Sequence, residues 1–297
     1  MSNKAKIKAI ILDVDGVIVG DKIGLNSPWP HPDVIKTLKR VKSNGVTISL
    51  CTAKPHFSID KIINDAGLDN THITDGGGVI IDPIHKRVVK KNLIETQSAK
   101  DVIKMLIGEG VYTEFYTGGD YFIQGSQESE ITKQHIHILQ KKPKVVTSLA
   151  EEASLRKITK IIPIANDEQD KQRVAKLLES FEDRLKVSWG GHPVALPLQF
   201  GIVTALGISK RQGAIEISKS VDVPFEKMLA VGDSGSDWQF IELCKYGAAM
   251  DNASEELKKL VLSKGEANSF IGPSVDENGV IEILAHFLPE ISIRGQS

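Results

Sequence analysis

Apolar positions along the chain fall into two textures. In the first, short apolar runs alternate with stretches of helical spacing. Lys6 to Val14 predicts a buried strand, a short apolar run that closes on a turn signal. Pro32 to Asn44 predicts a helix: Pro32 suits a first turn, Val34, Ile35, Leu38 and Val41 share a face, and Gly45 stops it. Val46 to Cys51 is a second strand, Ser58 to Ala66 a second helix ended by Gly67, and His72 to Thr74 a short third strand. Such alternation implies parallel strands joined by right-handed crossovers.

The second texture is irregular. Gly77 to Ile94 predicts hairpin strands (79–81 and 87–89), Ser98 to Ile107 a helix, and Tyr112 to Tyr116 with Asp120 to Gln124 a hairpin around Thr117-Gly118-Gly119. Ile131 to Leu139 and Asp167 to Phe181 predict helices; Lys157 to Ile164, Leu185 to Trp189 and Gln199 to Thr204 predict strands. This block is expected to be a separate α+β domain, 84–203, inserted into a core formed by 1–83 and 204–297. Regular alternation returns in that second core segment. Helices are predicted at Lys210 to Ser220, Asp237 to Cys244, Ser254 to Leu262 and Val280 to Leu288, with strands at Met228 to Val231, Tyr246 to Met250 and Asn268 to Ile271.

The 297 residues suffice for two domains, and 41% hydrophobic with 25% charged residues fits a globular protein. A net charge of -1 gives no reason to expect a nucleic-acid partner. Two cysteines, Cys51 and Cys244, exclude a disulfide framework and favour a reducing compartment. The basic start, Met1 to Lys8, leads into an apolar run of only 9–12 before Asp13, too short for a signal-peptide core. No apolar stretch reaches about 18 residues, so no membrane-spanning helix is expected. The expected location is cytoplasmic.

The chemistry collects at strand ends. In Ile10-Ile11-Leu12-Asp13-Val14-Asp15-Gly16-Val17 an apolar strand carries two carboxylates, one residue apart, into a glycine turn. Aspartate is disfavoured in strands and costly to bury, so the pair needs a partner, and a divalent cation is the obvious one. An Asp-Gly hairpin turn is the alternative for this segment alone. Thr52 follows the second strand, Lys210 opens a helix, and Asp233 and Asp237 follow the strand at 228–231. Open α/β sheets bind ligands at the carboxyl ends of their strands, where these residues would gather.

Asp13-Val14-Asp15-Gly16-Val17-Ile18 resembles the first motif of the haloacid dehalogenase superfamily, Thr52 its second and Lys210 its third. Gly232-Asp233-Ser234-Gly235-Ser236-Asp237 resembles its fourth, and 249–253, with Asn252, is similar to the segment that follows in the Cof-like, type IIB branch. The resemblance implies a doubly wound, Rossmann-like core with an inserted α+β cap, and a Mg²⁺-dependent phosphatase working through an aspartyl-phosphate. It implies Asp13 as nucleophile and Asp15 as acid and base. Asp13, the Asp15 carbonyl and Asp233 would hold the metal, and Thr52 and Lys210 the phosphate. Asp237, Gly16 and Asn252 would support them. Small phosphorylated metabolites, such as sugar phosphates or phosphoglycolate-like acids, are the implied substrates. Val17, Ala53-Lys54, Asp75, Ser236 and Asp251 depart from the usual pattern. A phosphomutase of the same superfamily and a non-catalytic protein that binds a phosphorylated ligand are the rival readings.

Other signals carry less. The stretch 232–235 also matches the surroundings of a trypsin-like serine nucleophile, but alternating α/β texture disagrees with that fold. His135 and His137 are two apart and do not share a helix face, so both are expected at the surface. Lys141, Lys142 and Lys144 suggest a solvated loop, and Lys86, Arg87, Lys90 and Lys91 a solvated strand face.

Overall fold

The computed structural model describes residues 7–84, 87–291 and 293. The chain runs β1 (Ala9–Leu12), α1 (Pro32–Ser43), β2 (Thr47–Leu50), α2 (Asp60–Ala66), β3 (His72–Thr74), β4 (Val79–Asp82) and β5 (Arg87–Lys91). It continues through α3 (Thr96–Gly108), β6 (Tyr112–Tyr116), β7 (Tyr121–Gln124), α4 (Glu130–Leu139), β8 (Lys144–Val146) and α5 (Leu149–Ala153). Next come β9 (Lys160–Ala165), α6 (Glu168–Leu178), β10 (Leu185–Gly191) and β11 (Gln199–Ala205). The chain ends through α7 (Lys210–Val221), β12 (Met228–Gly232), α8 (Trp238–Ile241), β13 (Tyr246–Met250), α9 (Glu255–Leu262), β14 (Ser269–Gly272) and α10 (Gly279–Phe287).

Five strands form a wholly parallel sheet in the order β14-β13-β12-β1-β2. β1 lies near its middle and is buried on both faces, which is why it reads as an unbroken apolar run. Two apolar clusters cover the sheet, one through Ile10, Leu38 and Leu284, the other through Ile11, Ile217 and Phe240. Register brings the strand ends together. Leu12 pairs with Leu50 on one side and Val231 on the other, so three strands end level. The next residues of each, around Asp13, Thr52 and Asp233, emerge side by side.

A second sheet, β10-β11-β9-β6-β7-β8, is antiparallel except between β7 and β8. Its residues alternate between faces, as the pleat requires. Phe115, Ile161 and Val203 pack with Val102, Leu106, Val174 and Leu178 of α3 and α6. Tyr116, Tyr121 and Ile162 belong to another cluster, with Ile138, Leu139 and, from the core side, Phe57. A three-stranded sheet, β3-β4-β5, joins the parallel sheet through a bridge between Cys51 and Ile73.

The fold class is α/β with a parallel core sheet and an α+β cap, as the sequence implies. Differences are local. β5 pairs with β4, and β11 extends through Ala205 in the second sheet. α8 is one turn, Trp238–Ile241, preceded by a 3₁₀ turn at Gly235–Asp237, where a longer helix is expected from sequence. β8 and α5 have no counterpart in the apolar pattern; Lys144 opens β8 and is exposed, as are Lys90 and Lys91. Lys86 lies outside the described residues. No described helix is long and apolar enough to cross a membrane.

Candidate active site

Asp13 follows the last residue of β1, and its amide donates to Val231 O at 3.1 Å. One carboxylate oxygen accepts from Val14 N at 2.7 Å, the other from Lys210 Nζ at 2.6 Å. Asp15 lies two residues on, where the chain turns: Gly16 N donates to Val19 O at 2.8 Å. Gly16 has φ +74°, and a Cβ there would stand 1.9 Å from Asp233 Oδ2. The glycine answers both a left-handed backbone and a close approach. Asn252 ties this turn to the far side of the sheet, donating to Gly16 O at 2.9 Å and accepting from Val275 N at 2.8 Å.

Lys210 is the first residue of α7, and the Ser209 hydroxyl caps that helix by accepting from Gln212 N at 3.1 Å. Its ammonium is buried between Asp13 and Asp237, 2.6 Å from each. Asp237 is wholly buried, and its second oxygen accepts from the Asp233 and Ser234 amides, each at 2.9 Å. The carboxylate points back along the chain and makes no cap for α8. Burial pushes Asp237 up, but Lys210, through charge and hydrogen bond, brings it below the ordinary aspartate value. Lys210 is held well above its ordinary value, burial being outweighed by Asp13 and Asp237. Thr52 is buried beside them, its Oγ1 accepting from Lys54 N at 3.2 Å.

Asp13, Asp233 and Asp237 bring carboxylate oxygens within 4.8 Å of one another. One ammonium faces three carboxylates. Burial pushes Asp13 up to about 7 against the pull of Lys210, with the charge of Asp237 adding to the rise. Asp233 is driven well above its ordinary value by burial, then by the charges of Asp237 and Asp13. With Asp237 spent on Lys210 and two amides, Asp13 and Asp233 fit a divalent cation: hard oxygens, crowded and under-compensated.

Three features of the site lie outside the motifs. Lys54, a departure from the family pattern, is buried, with Nζ 3.0 Å from Asp15 and 3.2 Å from Ile138 O in α4. His192, at the end of β10, brings Nε2 within 3.2 Å of the same Asp15 oxygen. Burial raises Asp15, but Lys54 and then His192 outweigh it and hold the carboxyl well below its ordinary value. Lys160 is buried against Asp75 at 3.0 Å and donates to Ala53 O at 2.7 Å. The surface expectation for His135 is wrong. It is buried, with Nδ1 2.9 Å from Glu114, because α4 lays that face on β6 and β7. The available signal was Glu114 between Tyr112 and Tyr116 on one face of β6.

The family model of haloacid dehalogenase-like hydrolases matches residues 10–284. The chain belongs to that family. It is 24% identical over 300 residues to Phosphatase YwpJ of Bacillus subtilis, covering 95% of this chain and 100% of the relative. It is 24% identical over 307 residues to 5-amino-6-(5-phospho-D-ribitylamino)uracil phosphatase YwtE of the same organism, covering 96% and 98%. The HAD subclass IIB sugar phosphatase BT4131 has the same fold, with TM-score 0.75 and 22% identity over 94% of this chain and 98% of that one. The chain is a haloacid dehalogenase-like hydrolase with the fold of that subclass IIB protein.

Proposed function

We propose that this hydrolase is a Mg²⁺-dependent phosphatase of small phosphorylated metabolites, acting through an aspartyl-phosphate on Asp13. The observation that carries this reading is the Lys210 ammonium bound to Asp13 and Asp237 beside Asp233, at the level ends of three parallel strands. Asp13, Asp233 and the Asp15 carbonyl would hold Mg²⁺, which when bound supplies positive charge to the phosphate oxygens. Lys210 and the Thr52 hydroxyl bind and orient the phosphoryl group. One Asp13 oxygen attacks phosphorus and the bond to the leaving alcohol breaks. Asp15 gives that oxygen a proton, then takes one from the water that releases phosphate and restores Asp13.

Lys54 and His192 hold Asp15 ionised, the form the second half-reaction needs. The first half needs a proton on Asp15; His192, whose Nδ1 accepts from Val194 N at 3.3 Å, orients that carboxyl by a hydrogen bond from Nε2 at 3.2 Å. The core comprises about 1–83 and 204–297 and the cap 84–203; the cap supplies His192 and shields the site from bulk water. Sugar phosphates and phosphoglycolate-like acids belong in the substrate panel, and the location is cytoplasmic. The test is phosphate release from p-nitrophenyl phosphate with Mg²⁺ and with EDTA. Turnover only with the metal, and ³²P trapped on acid-quenched wild type but not on Asp13→Asn, is the expected result. Undiminished turnover in EDTA or an active Asp13→Asn rejects it.

A further inference from the structure

Past Asp15 the space between core and cap opens into a second, partly open chamber. Asp15, Ala53, Gly190, Gly191 and Ile202 line both this chamber and the cleft over Asp13 and Lys210. The proposed acid thus stands at the threshold, and a group leaving with the ester oxygen has the chamber open to it.

The walls describe that group. Ile138, Leu139, Ile162 and the half-buried Phe200 give an apolar surface. Tyr116 is committed: Lys160 Nζ sits 4.3 Å from its ring centre, Tyr121 stacks on it at 5.3 Å, and its hydroxyl donates to Glu114 at 2.6 Å. Phe200 remains as the aromatic surface, its ring 5.2 Å from that of His135. The polar side chains of the wall are already engaged: Lys54 and His192 with Asp15, Lys160 with Asp75, and His135 Nδ1 with Glu114. A polyol would bury several hydroxyls against mostly apolar wall, each losing its bond to water. His135 offers the wall an open polar atom. His135 is only 6% exposed, Glu114 takes its Nδ1, and Nε2 has no partner among the described residues.

We propose that the substrate's leaving group is a flat, largely apolar unsaturated ring, seated against Phe200 with one polar ring atom meeting His135 Nε2. This rests on the phosphatase reading. The test compares kcat/KM with Mg²⁺ for benzyl phosphate, the three pyridylmethyl phosphates and glucose 6-phosphate. The best pyridylmethyl ester should exceed glucose 6-phosphate by about 30-fold, within what a pocket can discriminate. Phe200→Ala should cut that preference about tenfold. His135→Phe should erase the difference between pyridylmethyl and benzyl esters; His135→Gln serves if Phe does not fold beside Glu114. Calorimetry with benzylphosphonate and the phosphonate analogue of glucose 6-phosphate, on Asp13→Asn with Mg²⁺, reads binding without turnover. Glucose 6-phosphate hydrolysed as well as the ring esters overturns the ring assignment and leaves the phosphatase reading standing. No ester hydrolysed, with benzylphosphonate still bound the tighter, overturns the phosphatase reading and keeps the ring. Equal or absent binding of the two phosphonates overturns the ring assignment whatever the turnover.

Discussion

Asp13 and Asp15 sit one residue apart, yet their surroundings drive them in opposite directions. Asp13 is pushed up to about 7 by burial and crowding, while Lys54 and His192 hold Asp15 low. Asp13→Asn keeps the shape and removes the nucleophile, so turnover should fall by at least ~10³-fold in a protein that still folds; activity near wild type would reject attack by this carboxylate. The same shift makes stability depend on pH. An acid raised from 3.8 to about 7 binds its proton more tightly folded than unfolded. Between those values the folded state carries the extra proton, so stability falls as pH rises. Buried His72, lowered to about 4, works in the opposite sense in both proteins, so the metal-free melting temperature should fall more, or rise less, from pH 5.5 to pH 8 in wild type than in Asp13→Asn, and Mg²⁺ should raise the wild-type value more at pH 8. Identical profiles for the two proteins count against a proton held on Asp13. The motif residues were legible because polar side chains at the ends of buried apolar strands are conspicuous. Lys54 and His192 were not, since each reads as surface chemistry until core and cap are brought face to face.

Scaled up to elements, the site depends on turns that no other residue type can fill. Gly16 bends the chain with φ +74° where a Cβ would overlap the Asp233 carboxylate. Gly16→Ala combines backbone strain with displacement of Asp233. It should weaken Mg²⁺ binding at least tenfold by calorimetry and cost about 1–3 kcal/mol in denaturant unfolding. Native affinity and stability in that variant would show that the approach is not needed. Gly77, with φ +109°, similarly admits Ser209 O to 2.4 Å of its missing Cβ, which seats the start of α7 and hence Lys210. Strand and helix identities were readable from periodicity except at β8 and α5. The extent of α8 was not, because Asp237 spends its carboxylate on Lys210 and two preceding amides, and the chain there tightens into a 3₁₀ turn. β8 escaped notice because it lies at the sheet edge, with Lys144 and Val145 exposed.

For the molecule as a whole, the question is what holds the cap on the core. Apolar contact contributes through Phe57 against Tyr121, with ring centres 6.3 Å apart. Hydrogen bonds cross as well: Ser58 to Leu139 O at 2.9 Å, Lys54 to Ile138 O, and Lys160 to Ala53 O. The Lys160–Asp75 pair differs in kind, with side chains only 3% and 1% exposed. Burial pulls Lys160 below its ordinary value, and Asp75 is the largest opposing influence. Removing one partner leaves the other charge buried and uncompensated, a loss of about 3–5 kcal/mol, whereas replacing both removes two desolvation costs together. Lys160→Met should therefore destabilise by that amount in denaturant unfolding. Asp75→Asn should do so too, and asparagine tolerates the φ of +54° found there. The double variant should recover most of the loss, with a coupling of about 2 kcal/mol or more. If the single variants cost under about 1 kcal/mol and simply add, the two ions are solvated in solution, and apolar packing with neutral hydrogen bonds is what keeps the cap closed over Asp15.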